Sequence, residues 1–171
     1  AVCLMLGRIW NNWCNEAAYL LDGAPAGMID HVAEGFSSEG PFRTLNITQG
    51  NAVVLAGNTL QMEEGGHYLP APVLGSAQPW ETKQPGSALD VPEDKKDMIR
   101  DRLLGVLFSQ SFDIVDRGIG TPEDLNFGCQ VALGFNKGPM DIMLDMGESR
   151  VDQIINKFLS ERRGFPGPKR P

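Results

Sequence analysis

Positive charge is in short supply: 15 lysines and arginines face 22 aspartates and glutamates in 171 residues, for a formal net charge of -7 and a pI near 4.8. Such a surface repels phosphate backbones and anionic lipid, which removes nucleic-acid binding and membrane-surface roles. Long apolar runs are missing too. The longest, Ala1 to Leu6 before Arg8, is far short of a bilayer span and lacks the charged start and cleavage site of a signal peptide. The chain reads as cytoplasmic, or as belonging to an organelle matrix. Cysteines are few, and Cys3, Cys14 and Cys129 show no Cys-x-x-Cys spacing, so they read as reduced core thiols rather than a disulfide framework or zinc site. No initiator methionine precedes Ala1, which suggests a fragment or processed piece of a longer protein.

Cofactor motifs are equally scarce. A dinucleotide site needs Gly-x-Gly-x-x-Gly after a buried strand, because the pyrophosphate must meet bare N–H groups at a helix start. Gly118-Ile119-Gly120 follows a helical stretch and lacks the third glycine, so it reads as a linker. No Walker loop, Gly-x-Ser-x-Gly elbow, His-Glu-x-x-His helix or EF-hand spacing is present.

What the sequence does contain is helix grammar. Ile9, Trp10, Trp13, Ala17, Leu20 and Leu21 recur at three and four, the stripe of an amphipathic helix ending at Asp22-Gly23. Pro25 opens a second helix to Gly35, Pro41 a third broken at Gln49-Gly50, and Asn51 can cap a fourth reaching Gly65. The proline-rich stretch from His67 to Gly86 reads as an extended connection draped over the surface. Pro92-Glu93-Asp94 then starts a long helix closing near Asp116, and Thr121-Pro122-Glu123-Asp124 caps one ending near Leu133. Pro139 opens a helix interrupted at Gly147, and a last one runs through Val151, Ile154, Ile155 and Leu159. Ala52 to Leu55 could be strand, but its helical neighbours outvote it.

The two halves follow one order. Each has a helix with an arginine (Arg8, Arg102), a break at aspartate near glycine, and a proline-started helix. Gly-Phe (Gly35-Phe36, Gly134-Phe135), Gly-Pro (Gly40-Pro41, Gly138-Pro139), a helix pair and a proline-rich exit (Tyr68 to Pro72, Phe165 to Pro168) follow. This is an internal duplication with small insertions.

Candidate chemistry is thin. Asp30 beside His31 could form an acid–imidazole pair, though a partly exposed helix residue is the plainer reading, and His67 suits a loop role. Lys95, Lys96, Arg100 and Arg102 could attract a coenzyme phosphate, but Glu93, Asp94, Asp97 and Asp101 balance them. Trp10, Trp13, Phe108 and Phe112 lie on helical stripes and read as core or interface.

Two stretches are more specific. Gly118 to Asn126 (Gly-Ile-Gly-Thr-Pro-Glu-Asp-Leu-Asn) followed by Ala132 to Met140 (Ala-Leu-Gly-Phe-Asn-Lys-Gly-Pro-Met) is similar to the 3-hydroxyacyl-CoA dehydrogenases, where a helix led by acids runs into Gly-Phe-Pro-x-Gly-Pro. Asn15-Glu16-Ala17 and Tyr68-Leu69-Pro70-Ala71-Pro72 resemble the same family's C-terminal domain, so the likeness covers nearly the whole chain, once per half. The resemblance implies an all-α fold of two tandem helical repeats packed as a pseudo-dimer, of the 6-phosphogluconate dehydrogenase C-terminal-like class. The first repeat, with its proline-rich exit, spans 1–90 and the second 91–171.

It further implies a substrate-binding and assembly part of an NAD-dependent enzyme that oxidises 3-hydroxyacyl-CoA to 3-oxoacyl-CoA, allowing a homodimer and inactive alone. NAD, the catalytic histidine and the serine would belong to an N-terminal Rossmann domain absent here, so no cofactor, catalytic or metal residue is assigned to this chain. Arg8 and Arg102 are its substrate-binding candidates, with acyl-CoA as the ligand. The family places an asparagine before that arginine to orient catalytic groups, whereas Gly7 and Asp101 stand there in this chain. Neither can inherit the role, because glycine has no side chain and ionised aspartate cannot donate. The rival readings are a non-catalytic helical oligomerisation or acyl-CoA-binding module, and an independent enzyme using Asp30, His31 or His67.

Overall fold

The computed structural model describes residues 2–76 and 79–169, with side chains from Leu4 onward. Eight α-helices account for it: α1 (Val2–Tyr19), α2 (Ala26–Ala33), α3 (Pro41–Thr48), α4 (Asn51–Gln61), α5 (Glu93–Asp116), α6 (Pro122–Ala132), α7 (Pro139–Met146) and α8 (Glu148–Glu161). No strand occurs among the described residues, so the chain is all-α as expected.

Local chemistry explains most boundaries. Pro41, Pro122 and Pro139 each sit in a first turn, where the missing N–H leaves no bond unmade. The Thr121 hydroxyl accepts the Asp124 N–H at 3.1 Å, the side-chain cap its sequence announced. Asn51 does not cap α4. Gly50 occupies that place, and the Asn51 amide instead donates to Ser76 O. Pro92 likewise lies at the N-cap of α5 rather than inside its first turn.

α5 runs through the centre of the bundle. Leu103, Leu104, Val106, Leu107 and Phe108 are all buried, and so are the polar Ser109, Gln110 and Ser111. A helix enclosed on every side needs its polar side chains satisfied internally, which is why Ser111 Oγ bonds Leu107 O and Gln110 bonds Tyr68 Oη.

Packing repeats between the halves. α1 lies against α5. Where α1 touches α3, α4 and α6, α5 touches α7, α8 and α2, and α2–α3 is matched by α6–α7. An isolated antiparallel bridge joins Ser37 to Phe135, with Ser38 N–H donating to Gly134 O at 2.9 Å and Asn136 N–H to Phe36 O at 2.8 Å. The offset that relates Gly40 to Gly138 also relates Ser37 to Phe135. The two bonds of the bridge thus join positions that this one sequence offset interchanges.

The segment from His67 to Gly86 departs from its reading as a surface connection. Tyr68, Ala71 and Leu74 are each 2% exposed, and 3-10 turns occupy Gly66–Tyr68 and Pro72–Gly75. Tyr68 and Leu74 turn inward from the two 3-10 turns and Ala71 from the extended link between them, so the prolines shape a strap that contributes to the core.

Candidate functional site

The two arginines singled out in the sequence each anchor an ionic cluster at the α1–α5 seam. From α1, Arg8 forms a two-pronged pair with Glu64, one nitrogen at 3.0 Å, and lies 3.7 Å from Asp113 on α5. Arg117 closes the ring, donating to Glu64 at 3.0 Å and Asp113 at 3.1 Å. The hydrogen bond from Arg8 holds the Glu64 carboxyl below its usual range, and the bond to Glu64 pushes the Arg117 guanidinium further up. The Arg8 Nε is buried with no partner, beside a cleft of about 340 Å³ lined by Leu4, Gly7, Asn11, Gly57, Leu60 and Gln61. A Cβ at Gly57 would lie 2.1 Å from Asn11 Nδ2, so glycine lets α4 approach α1. Gly7 opens on space, with only Asn11 at 4.0 Å from a built Cβ.

The second cluster centres on Glu16, 1% exposed on α1. Arg102 Nε donates to its Oε2 at 2.8 Å, Arg162 Nε to its Oε1 at 2.9 Å, and Arg102 also reaches Glu161 at 3.2 Å. Arg162 continues to His67 O at 3.1 Å and lies 4.8 Å over the Tyr19 ring. Neither sequence reading named Glu16 or Arg162 as a site. No local spacing signals them, because Glu16 lies 86 and 146 positions from the arginines that it pairs with.

Asn15 and Ser109 do matching work. Asn15 Nδ2 donates to Leu69 O at 3.2 Å while its Oδ1 accepts Ala71 N–H at 2.8 Å, and Ser109 Oγ donates to Pro166 O at 2.6 Å. Each pins the residue after an aromatic in a proline-rich exit.

The remaining candidates separate. Asp101, which stands in the place of the family asparagine, is buried and paired with Arg100, with Arg150 at 3.0 Å and with Lys157 at 3.4 Å. Asp30 does not engage His31. Its two oxygens each accept a main-chain N–H, from Phe42 and Arg43 at 2.9 Å, capping α3, and burial pushes its carboxyl up to about 6. Asn126 caps α7 the same way through Met140 N–H at 2.9 Å. His67 packs between Tyr68 and Phe165, with ring centroids at 4.1 and 4.8 Å, and burial lowers its pKa. Trp13 and Phe108 are core, and Trp10 and Phe112 are partly buried against it. Cys14 and Cys129 are buried thiols, whereas the Cys3 side chain lies outside the described residues. No described helix is long and apolar enough to cross a membrane.

No family model matches the chain, and no curated protein matches it by sequence. A solved structure does: 3-hydroxybutyryl-CoA dehydrogenase from Escherichia coli K12, with a TM-score of 0.74 at 11% identity. The match covers 92% of this chain and 56% of that one. The chain thus has the fold of just over half of that enzyme.

Proposed function

We propose that this chain is the C-terminal substrate-binding and assembly part of an NAD-dependent L-3-hydroxyacyl-CoA dehydrogenase, built from two tandem repeats over 1–90 and 91–171. The observation that carries the reading is the combination of the fold match with the Arg8 to Asn15-Glu16-Ala17 pattern on the seam helix. The mutual packing of α1 and α5, the exchangeable bridge at Ser37 and Phe135 and the paired caps at Asp30 and Asn126 support the tandem arrangement. In this reading the partner is a Rossmann domain of the same protein that holds NAD, and hydride passes there from the substrate C3. The surroundings are cytoplasmic, and the whole enzyme assembles as a homodimer.

The roles of Arg8 and Arg102 are then indirect. Both guanidinium groups are held by carboxylates of this chain, so they shape the cleft and the seam rather than offering a free charge to a phosphate. Gly7 leaves room at the cleft for substrate or for a group from the partner domain.

A second reading is favoured by one observation: Asp101 is consumed by Arg100, Arg150 and Lys157. It holds that the chain is a helical oligomerisation module without catalytic ties. Calorimetric titration with acetoacetyl-CoA separates the two. Saturable binding that weakens when Leu60 or Asn11 in the cleft is changed supports the dehydrogenase reading, and no binding supports the module.

A further inference from the structure

One place occurs twice in the fold and holds opposite chemistry. Gly7 precedes Arg8 as Asp101 precedes Arg102, and a glycine N-cap opens both α4 (Gly50) and α8 (Gly147). In that register buried Val54 matches buried Val151 and buried Asn58 matches buried Ile155, so Val53, Gly57 and Leu60 correspond to Arg150, Ile154 and Lys157.

In the second half the place is closed. Asp101 accepts Arg150 at 3.0 Å and Lys157 at 3.4 Å, and Ile154 fills the position of Gly57 at 1% exposure. In the first half it is open. Gly7 and Gly57 line the cleft of about 340 Å³ with Leu4 and Leu60, which are 59% and 69% exposed. Val53 is 67% exposed and stands about 10 Å along α4 from Leu60. No charged side chain occurs from 44 to 62, whereas α8 carries Glu148, Arg150, Asp152, Lys157 and Glu161. Arg8 and Glu64, which also line the cleft, neutralise each other.

We infer that the α1–α4 face of the first half seats the dinucleotide-binding domain of the same protein, and that Asp101, Arg150 and Lys157 close the equivalent seat of the second half. The inference rests on the function proposed above. The chemistry of the face selects this occupant. Its uncharged helix offers a coenzyme phosphate or a charged peptide no counter-charge, whereas the centre of a protein interface is depleted of charge. Its exposed apolar side chains spread over α1 and α4, which suits a folded surface rather than a small ligand. A single domain on a duplicated scaffold takes one seat, and of the two equivalent places one is apolar and the other is filled by ion pairs. Asp101 is then consumed because the second half has no domain to hold.

Amide hydrogen exchange, measured on the chain alone and on the chain joined to the NAD-binding domain of its own protein, tests the seat. Joining should slow exchange across 51–61 at least about tenfold and leave 148–161 unchanged. Val53→Arg with Leu60→Lys, at exposed positions and copying α8, should abolish the slowing while the helical spectrum of the chain alone stays the same. Equal exchange at 51–61 in both proteins, equal slowing at 148–161, or slowing that survives the double change overturns the inference. So does a dimer of the chain alone in sedimentation that L60K dissolves, because the occupant is then a second copy. Oxidation of NADH by acetoacetyl-CoA in the joined protein separates the two failures. With turnover and no slowing only the seat is wrong; without turnover the function proposed above fails, and the seat with it.

Discussion

Arg102 on α5 and Glu16 on α1 meet at 2.8 Å in the middle of the α1–α5 seam, where the carboxylate is 1% exposed. Arg162 takes the other oxygen, so one buried anion holds two cations from the second half of the chain. Removing water from such a group is costly, and only near-complete pairing offsets it. The seam is therefore held by a contact that fails as a unit.

Glu16→Ala should lower stability by about 3 to 5 kcal/mol, since two guanidinium groups lose their shared partner. Glu16→Gln, which retains an acceptor, should cost less. Urea denaturation checks both, and a loss below about 1 kcal/mol for the alanine variant would show that solvent satisfies the arginines.

Two mid-helix glycines should respond with opposite signs. At Gly7 a methyl group meets open space, so Gly7→Ala should stabilise by about 1 kcal/mol through helix propensity alone. At Gly105 the added carbon would lie 2.5 Å from Phe158 Cβ, so Gly105→Ala should destabilise by about 1 to 3 kcal/mol as α5 and α8 are forced apart. Thermal denaturation of the pair reads the difference directly.

Asp30 gives a pH signature. Its folded pKa is about 6, raised chiefly by burial from 3.8, so the folded state holds the proton more tightly than the unfolded one. Stability from this group is greatest below about pH 4 and is lost as pH rises to about 6, by on the order of 2 to 3 kcal/mol. Asp30→Asn should remove that pH dependence, because an amide does not ionise, although its single oxygen can accept only one of the two N–H groups that Asp30 caps. The wild-type-minus-variant difference in unfolding free energy across that range is the test, and a flat difference contradicts it.

The buried cysteines should be inert. Burial pushes the Cys129 thiol up to about 12 and raises that of Cys14 as well, leaving little thiolate at pH 8. Iodoacetamide should modify both in urea and neither in the native chain, read by peptide mass spectrometry.

Helix order was legible because Pro41, Pro122, Pro139 and Thr121 speak for themselves: a missing donor or a side-chain acceptor acts within one turn. The strap was not, because four prolines suggested exposure while Tyr68, Ala71 and Leu74 turn inward from two 3-10 turns and an extended link, which follow neither the helical nor the strand repeat. Arg8 and Arg102 were singled out through the family resemblance, but their carboxylate partners Glu64, Asp113 and Glu16 lie far along the chain, and only the fold brings them together.

In the function proposed above, hydride chemistry belongs to a dinucleotide-binding region that works with this chain. Oxidation of NADH by acetoacetyl-CoA, followed at 340 nm, tests it most directly, with the chain alone and with the chain joined to the NAD-binding domain of its own protein. The account predicts no turnover alone and turnover when joined; turnover by the chain alone, or none from the joined protein, would contradict it.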